Sequence, residues 1–319
     1  MFAGYYQLPG PRAKVWPNQR GIKRKKLGAI RKYVKTNTQS QTHHPYLKRV
    51  ATAIVGIPPL AALIYYGTPF HFWLLITACI LLGIREFYQI LDQANIHPST
   101  PLGLILGLLV SLAFWQGASL LPLVVVLTVM ATFVSFLFHF NNPSTIIARL
   151  CGTMAGVFTI AWLMGYLIWI RGLAQGKALI FYLLLVVWTG DTSAFYTGTL
   201  LGKHPLSPLV SPKKTIEGSI GALVGSVLVS VVAHFTFLPS LISLGNSIIL
   251  GLVLNIFAQV GDLSESMLKR GAGIKDSGNL FPGHGGILDR IDSLIFAAPA
   301  LFYYLYYLSN CLSIKAMIQ

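Results

Sequence analysis

The sequence predicts an all-α integral membrane protein, a polytopic bundle of about nine transmembrane helices. Hydrophobic residues make up 54% of the 319 residues, and the mean hydropathy is +0.66, which is higher than soluble domains of this size show. Apolar runs of about 17 to 25 residues recur along the chain, and each is long enough to cross a hydrocarbon core of about 30 Å. The period-two alternation of a membrane β-barrel is absent, so the spans are expected to be helices.

The predicted elements fall into three regions. Residues 1–49 form a basic segment, residues 50–184 an N-terminal group of spans, and residues 185–319 a C-terminal group that carries most of the acids. The predicted spans are residues 50–66, 69–91, 101–120, 121–140, 150–170, 177–200, 218–238, 243–262 and 291–310.

The N-terminal segment is strongly basic. Residues 1–49 contain 12 of the 24 Lys and Arg residues and no acid, in a chain of net charge +15. Because positive charge favours the cytoplasmic side, a cytoplasmic N-terminus is expected. The favoured interpretation is a largely disordered arm that sets orientation. The alternatives are a basic amphipathic helix over residues 21–36 on an anionic leaflet and an organellar transit peptide. No nucleic-acid partner is expected, since such basic clusters are common and nonspecific.

Alternation of the spans places two polar loops on the cytoplasmic side, residues 201–217 and 263–290. Most basic residues beyond the tail fall in these loops: Lys203, Lys213, Lys214, Lys269, Arg270, Lys275 and Arg290. Both loops therefore face the compartment that holds nucleoside triphosphates. The expected location is the inner membrane of a bacterium, with an organellar membrane as the alternative.

Acidic residues are concentrated near these loops. Seven of the nine acids lie between residues 191 and 292, and a carboxylate within a span costs about 2.5–3.5 kcal/mol unless it has a partner or a water-filled cavity. Asp262 and Glu265 are three residues apart, as are Asp289 and Asp292, so each pair lies on one helical face. Carboxylates that converge beside cations suit Mg²⁺.

The metal prediction has an alternative at each position. Asp191, Asp262, Asp289 and Asp292 are the candidate ligands, and internal ion pairing is the competing interpretation. For Asp262 and Asp289 the metal is favoured. For Asp276, in the second loop, both interpretations stand equally.

Two segments predict phosphate contacts. Lys213 and Lys214 precede an expected helix start, with Ser211 or Thr215 as its cap, and a helix N-terminus attracts anions. The PGHGG sequence at 282–286 predicts a sharply turned backbone whose N–H groups approach a phosphate, at Gly283, Gly285 and Gly286. His284 either contacts a phosphate or serves as an acid, or it only ties the loop together.

The segment SMLKRGAGIKDSGNLFPGHGGILDRID, residues 266–292, resembles the signature of phosphatidate cytidylyltransferases, also called CDP-diacylglycerol synthases. Upstream, WTGDTSAFYTGTLLGKH and SPKKTIEG resemble the same family. The signature positions are met by Ser266, Lys269, Arg270, Lys275, Asp276, Pro282, Gly283, His284, Gly285, Gly286, Asp289, Arg290 and Asp292.

The resemblance implies a reaction in which the phosphate of phosphatidate attacks the α-phosphorus of CTP. Mg²⁺ would be held by Asp262 and Asp289, with Asp191 and Asp292 in support or at a second cation. The phosphates would be held by Lys213, Lys214, Lys269, Arg270, Lys275 and Arg290. A homodimer is consistent with the family. The competing functions are a transporter of a phosphorylated anion and a CTP-dependent lipid-alcohol kinase.

Overall fold

The structure is a computed structural model that describes residues 45–138, 143–238, 242–278 and 285–311. The chain divides into two compact units, Met1–Val50 and Ala51–Gln319. Only residues 45–50 of the first unit are described, as part of a helix. The predicted arm at residues 1–49 and its alternatives therefore lie almost wholly outside the described residues.

The described chain is helical apart from one short hairpin. The α-helices in order are α1 (Pro45–Tyr66), α2 (Pro69–Gln93), α3 (Thr100–Gln116), α4 (Leu121–Phe138), α5 (Pro143–Gly156), α6 (Leu163–Gly172), α7 (Gly176–Leu201), α8 (Ile216–Thr236), α9 (Leu244–Gly271) and α10 (Leu288–Cys311). A 3₁₀ turn, Ala118–Leu120, precedes α4, and a π-helical turn, Val157–Trp162, joins α5 to α6. The hairpin strands are β1 (Pro205–Ser207) and β2 (Ser211–Thr215).

The all-α, multi-pass class is confirmed, whereas the count of nine spans is not. Within the described residues, six helical stretches are long and apolar enough to cross a membrane: Pro69–Gln93, Ala118–Phe138, Pro143–Gly172, Gly176–Leu201, Ile216–Thr236 and Leu244–Gly271. Two further apolar helices, Gly56–Tyr66 and Thr100–Gln116, are shorter. Even the 17 residues of α3 rise only about 25 Å, less than the hydrocarbon thickness.

Helix boundaries differ from the prediction around the polar loops. Helix α9 continues to Gly271, so residues 263–271 are helical although the sequence predicted a loop from 263. The loop predicted at 201–217 contains the hairpin, in which Pro205 pairs with Thr215 and Ser207 with Ser211. The all-α prediction did not include this pair of strands, since each is too short to give a periodic signal.

The apolar core lies among α2, α3, the π-helical turn, α6 and α7. Ile84, Val157 and Leu183 are fully buried there. The hydroxyl of buried Tyr88 donates to the Thr153 carbonyl at 2.6 Å, which ties α2 to α5. The outer faces carry large exposed apolar side chains such as Phe133 on α4, as expected of helices that contact lipid.

A chain of buried polar side chains fixes α7, α8 and α9 against one another. Ser226 on α8 donates to the Val186 carbonyl on α7 at 3.0 Å, and Asn255 on α9 donates to Ser226 at 2.8 Å. Gln259, one turn further along α9, donates to Asn255 Oδ1 at 2.6 Å. Since buried polar groups are held by such bonds, the orientation of α9 is set just before Asp262.

Candidate active site

The backbones of α9 and α10 approach closely where the acidic residues begin. A Cβ atom added to Gly261 would lie 2.4 Å from the carbonyl oxygen of Asp292. Only glycine permits this separation, because a side chain there would overlap the neighbouring backbone. The contact brings Asp262, the next residue on α9, to the same place as Asp292 on α10.

Three of the four predicted metal ligands come together at this contact. Asp191 on α7 lies within electrostatic range of Asp262 and Asp292, and of Lys214 and Arg290. Asp292 is also within range of Asp262. Asp191 is exposed, and Asp262 and Asp292 are half-buried, so this group of three carboxylates is partly accessible from the surface of the protein. We call Asp191, Asp262 and Asp292 the open acid group.

The open acid group has few hydrogen-bond donors. Lys214 on β2 forms an ion pair with Asp262 Oδ2, and Ser266 Oγ lies 3.4 Å from Asp262 Oδ1. Asp292 Oδ1 accepts from its neighbour, the Ser293 N–H, at 2.6 Å. Carboxylates therefore lie near one another, with Lys214 and Arg290 as the cations that act on Asp191, and such a group of oxygens favours binding of a divalent cation.

The fourth predicted ligand, Asp289, lies in a different environment. Its Oδ1 accepts from buried Lys269 at 2.5 Å, and Lys269 also donates to Glu265 Oε2 at 2.8 Å. Its Oδ2 accepts from the Ser277 N–H and hydroxyl, both at 3.0 Å, and from the Gly286 N–H at 2.9 Å. Asp289 therefore shows the ion pairing that was the alternative to metal binding.

Glu86 is a site residue that the sequence interpretation missed. It lies on α2 with 7% of its surface exposed. Its Oε1 accepts from the Ile287 N–H at 2.9 Å, and its Oε2 accepts from the Leu288 N–H at 2.8 Å and from the Ser277 hydroxyl at 3.0 Å. An acid within an apolar span was the signal available, and the same rule had identified Asp191.

The predicted cations divide into three kinds. Lys214 and Lys269 form ion pairs with the site acids. Arg270 donates instead to the carbonyls of Val210, at 3.3 Å, and of Ile274, at 2.8 Å, so it joins the hairpin to the end of α9. The third kind consists of the exposed residues Lys213, Lys275 and Arg290; Asp276 is likewise exposed.

The hairpin brings Lys214 to the open acid group. Thr215 is the cap of α8, since its Oγ1 accepts from the Gly218 N–H at 3.1 Å. Ser211, the other predicted cap, instead begins β2. Glu217 in the first turn of α8 accepts from the Lys203 N–H at 3.1 Å and pairs with His204 Nδ1 at 2.6 Å, which anchors the start of the hairpin.

The PGHGG loop is only partly described. Gly283 and His284 lie outside the described residues, so the predicted roles of both stay predictions. Gly285 adopts the left-handed conformation with φ 77°, as the expected sharp turn requires. The Gly286 N–H, a predicted phosphate donor, is directed at Asp289 Oδ2.

Acidic side chains outnumber the basic ones among the linked site residues. Asp191, Asp262, Glu265, Asp289 and Asp292 are connected by ion pairs or electrostatic range to three cations, Lys214, Lys269 and Arg290. Five carboxyl groups and three cations are thus linked in this region. In the part of the chain that the structure describes, no three His, Cys, Asp or Glu side chains are already arranged as a metal site.

Comparison with known proteins identifies the family of the chain. Residues 47–308 match the model of the cytidylyltransferase family. A phosphatidate cytidylyltransferase of Synechocystis is 32% identical over 286 residues, which cover 81% of this chain and 95% of that protein. Phosphatidate cytidylyltransferases of Staphylococcus haemolyticus and Staphylococcus aureus are 46% and 45% identical over 138 and 140 residues, and in each case the matched region is about half the relative, 53% of its length. The chain belongs to the cytidylyltransferase family.

Proposed function

We propose that this protein is a phosphatidate cytidylyltransferase, a nucleotidyltransferase of phospholipid biosynthesis embedded in the membrane. A phosphate oxygen of phosphatidate forms a bond to the α-phosphorus of CTP, and the bond between the α-phosphorus and the bridging oxygen breaks. The products are CDP-diacylglycerol and pyrophosphate. The observation that carries the proposal is the convergence of Asp191, Asp262 and Asp292, from three helices, beside Lys214 of the hairpin.

The donor set suits Mg²⁺ as the cofactor. Carboxylate oxygens are the ligands that hard divalent cations prefer. Asp191, Asp262 and Asp292 are the residues proposed to hold it. Four donor groups contact Asp289. Asp289 can therefore bind the ion only if the ion displaces Lys269. A second cation is an option at the same carboxylates.

Bound Mg²⁺ supplies charge neutralisation for the phosphate oxygens. The residues of the chain do the remaining work, which is positioning, because phosphoryl-type transfers need little covalent assistance. Lys213 and Lys214 on β2 hold the triphosphate, together with Lys275. Lys269 restrains Asp289 and Glu265, and no general base is required because phosphatidate is already ionised at neutral pH.

An apolar cavity supports a lipid as the second substrate. The cavity has a volume of about 410 Å³ and lies among α1, α2, α6, α7 and α10, with Leu183, Ile291 and Leu294 among its lining residues. Arg290 also lines it and is within electrostatic range of Asp191. An acyl chain in this cavity would leave the lipid phosphate next to Arg290, at the edge of the open acid group.

The proposed setting is the inner membrane of a bacterium, with the open acid group and residues 1–49 on the cytoplasmic side. The basic residues of the hairpin and of the α9–α10 connection support this orientation. Lys213, Arg270 and Lys275 are exposed there, where CTP arrives from solution. Homodimer formation belongs to the proposal as an expectation from the family.

The test is product analysis with purified protein in detergent. CTP labelled at the α-phosphorus and phosphatidate should give labelled CDP-lipid and unlabelled pyrophosphate, with Mg²⁺ titrated from zero. Product should be absent without the metal and should saturate as Mg²⁺ rises. A phosphorylated lipid with release of labelled CDP would assign a kinase instead. Absence of turnover, with movement of a phosphorylated anion across vesicles, would assign a transporter.

A further inference from the structure

We infer that Glu86 is a positioning residue for the proposed reaction. Its carboxylate holds the start of α10 and the turn at Ser277, and it thereby fixes how Asp289 and Asp292 are presented to the substrates. The catalytic consequence rests on the proposed function, whereas the contacts of Glu86 do not.

Glu86, which lies on α2, caps the N-terminus of α10. The first N–H groups of a helix have no partner within it, and a carboxylate there is favoured by both hydrogen bonding and the helix dipole. Ile287 and Leu288 direct these groups at the two oxygens of Glu86, at 2.9 and 2.8 Å. Because Glu86 is buried, water cannot readily replace it.

Two glycines of the signature segment leave room for this carboxylate. A Cβ atom added to Gly286 would lie 2.1 Å from Glu86 Oε2, and one added to Gly278 would lie 2.8 Å from Oε1. Both separations are shorter than the 3.0 Å below which real Cβ atoms are essentially never found. Glycine at these two positions therefore accommodates a side chain of the protein itself.

A continuous series of hydrogen bonds runs from Glu86 into the site. The Ser277 hydroxyl lies 3.0 Å from Glu86 Oε2 and 3.0 Å from Asp289 Oδ2. A hydroxyl has one proton, so it donates to one carboxylate at a time, while the Ser277 N–H keeps hold of Asp289 at 3.0 Å. Asp289 in turn holds Lys269. Displacement of Ser277 or of the start of α10 would therefore move Asp289 directly.

The experiment compares Glu86→Gln with Asp92→Asn. Glutamine keeps the size of the side chain but places an N–H₂ group against donors that need an acceptor. Asp92 is a matched control, since it is an acid on the same helix that is exposed and pairs with His97 at 3.0 Å. Both variants are purified in detergent and checked for a monodisperse folded peak. Ser277→Ala serves as the second variant if Glu86→Gln does not fold.

Two readouts separate positioning from general stability. Hydrogen exchange of the Ile287 and Leu288 amides should speed up at least about tenfold in Glu86→Gln, because each loses a bond to a charged acceptor. The kcat should fall by about 10- to 100-fold, with the KM for CTP within about threefold, since a small misplacement of reacting groups lowers turnover more than binding. Asp92→Asn should match the wild type in both readouts.

Unchanged exchange at both amides in folded Glu86→Gln would overturn the inference, as would wild-type kcat in that variant. A fall in kcat of equal size in Asp92→Asn would also overturn it. If wild-type protein makes no CDP-lipid, the proposed function fails, and the exchange measurement still decides whether Glu86 holds the start of α10.

Discussion

Two groups of carboxylates lie close together in this protein and differ in how their oxygens are used. Glu86 and Asp289 accept, between them, six hydrogen bonds at a time from backbone N–H groups, Lys269 and the Ser277 hydroxyl, whose one proton serves either carboxylate. The open acid group of Asp191, Asp262 and Asp292 has the ion pair with Lys214, the Ser266 contact, the local Ser293 bonds and the nearby charge of Arg290.

The difference indicates two roles for carboxylates in this protein, one in holding the fold together and one in binding a ligand. When both oxygens of a carboxylate accept hydrogen bonds from the protein, these bonds compensate the cost of removing the carboxylate from water. Such a carboxylate holds the donating helices and loops in place. Carboxylates that lie near one another and accept few hydrogen bonds repel one another, and a bound cation relieves this repulsion. We therefore expect loss of a saturated carboxylate to lower stability and activity together, and loss of an open one to lower activity alone.

The largest expected effect follows Asp289→Asn. Turnover should be abolished, and the folded state should lose about 2 kcal/mol because hydrogen bonds to a charged acceptor are lost, although Lys269 keeps its ion pair with Glu265. Membrane insertion should remain intact. CDP-lipid formation and thermal unfolding in detergent measure the two effects. Normal turnover in this variant would remove Asp289 from the site, and loss of activity without loss of stability would remove the distinction between the two groups.

Asp262→Asn should separate activity from stability. Turnover should fall by about 10²- to 10³-fold through lost cation binding, and the required Mg²⁺ concentration should rise. Stability should change by less than about 1 kcal/mol, because the half-exposed pair with Lys214 contributes little and repulsion within the open acid group is relieved. Mg²⁺ titration and thermal unfolding of the same preparation test both. A drop in stability like that of Asp289→Asn would place Asp262 among the saturated carboxylates.

The hairpin lysines should differ from each other. Lys214→Ala removes the cation that pairs with Asp262 and should raise the KM for CTP about tenfold, in the range of a charge-assisted contact. Lys213→Ala changes an exposed neighbour and should raise it less. Initial rates over a range of CTP concentrations give both values. Equal effects of the two substitutions on the KM would show that CTP binding depends on the overall positive charge of the hairpin and not on the Lys214–Asp262 ion pair.

The smallest effect is expected from deletion of residues 1–40. Because the acids and cations of the site all lie beyond residue 85, turnover in detergent should remain within about twofold of the full chain, as for a change away from the chemistry. The matched control is the full chain in the same detergent. An inactive but folded truncation would show that the basic segment contributes to catalysis.

Much of the architecture could be predicted because it depends on local composition. Each predicted apolar run overlaps a helix, the acids of the C-terminal part were identified from their cost inside or beside a span, and Lys213 and Lys214 from their place before an expected helix start. The predicted end of α9, residue 262, was too early because Asp262, Glu265 and Lys269 look like part of a polar loop in the sequence. They form ion pairs or lie at helix contacts in three dimensions, which allows a helix to continue through them.

What could not be predicted depends on distances between remote segments. Glu86 contacts residues about 200 positions away, and nothing in the surrounding sequence GIREFYQI indicates that partner. The division of the carboxylates into saturated and open groups also depends on which donors the fold delivers to each.

The sequence by itself determined that the protein lies in a lipid bilayer, where its helices are and which residue types can carry the chemistry. Hydropathy and charge determine these features because they act over a few neighbouring positions. Only the tertiary structure decided which carboxylates are occupied by the protein's own donors and which face a ligand. The physical reason is that hydrogen bonds and ion pairs act over about 3 Å in space, a separation that positions along the chain do not specify.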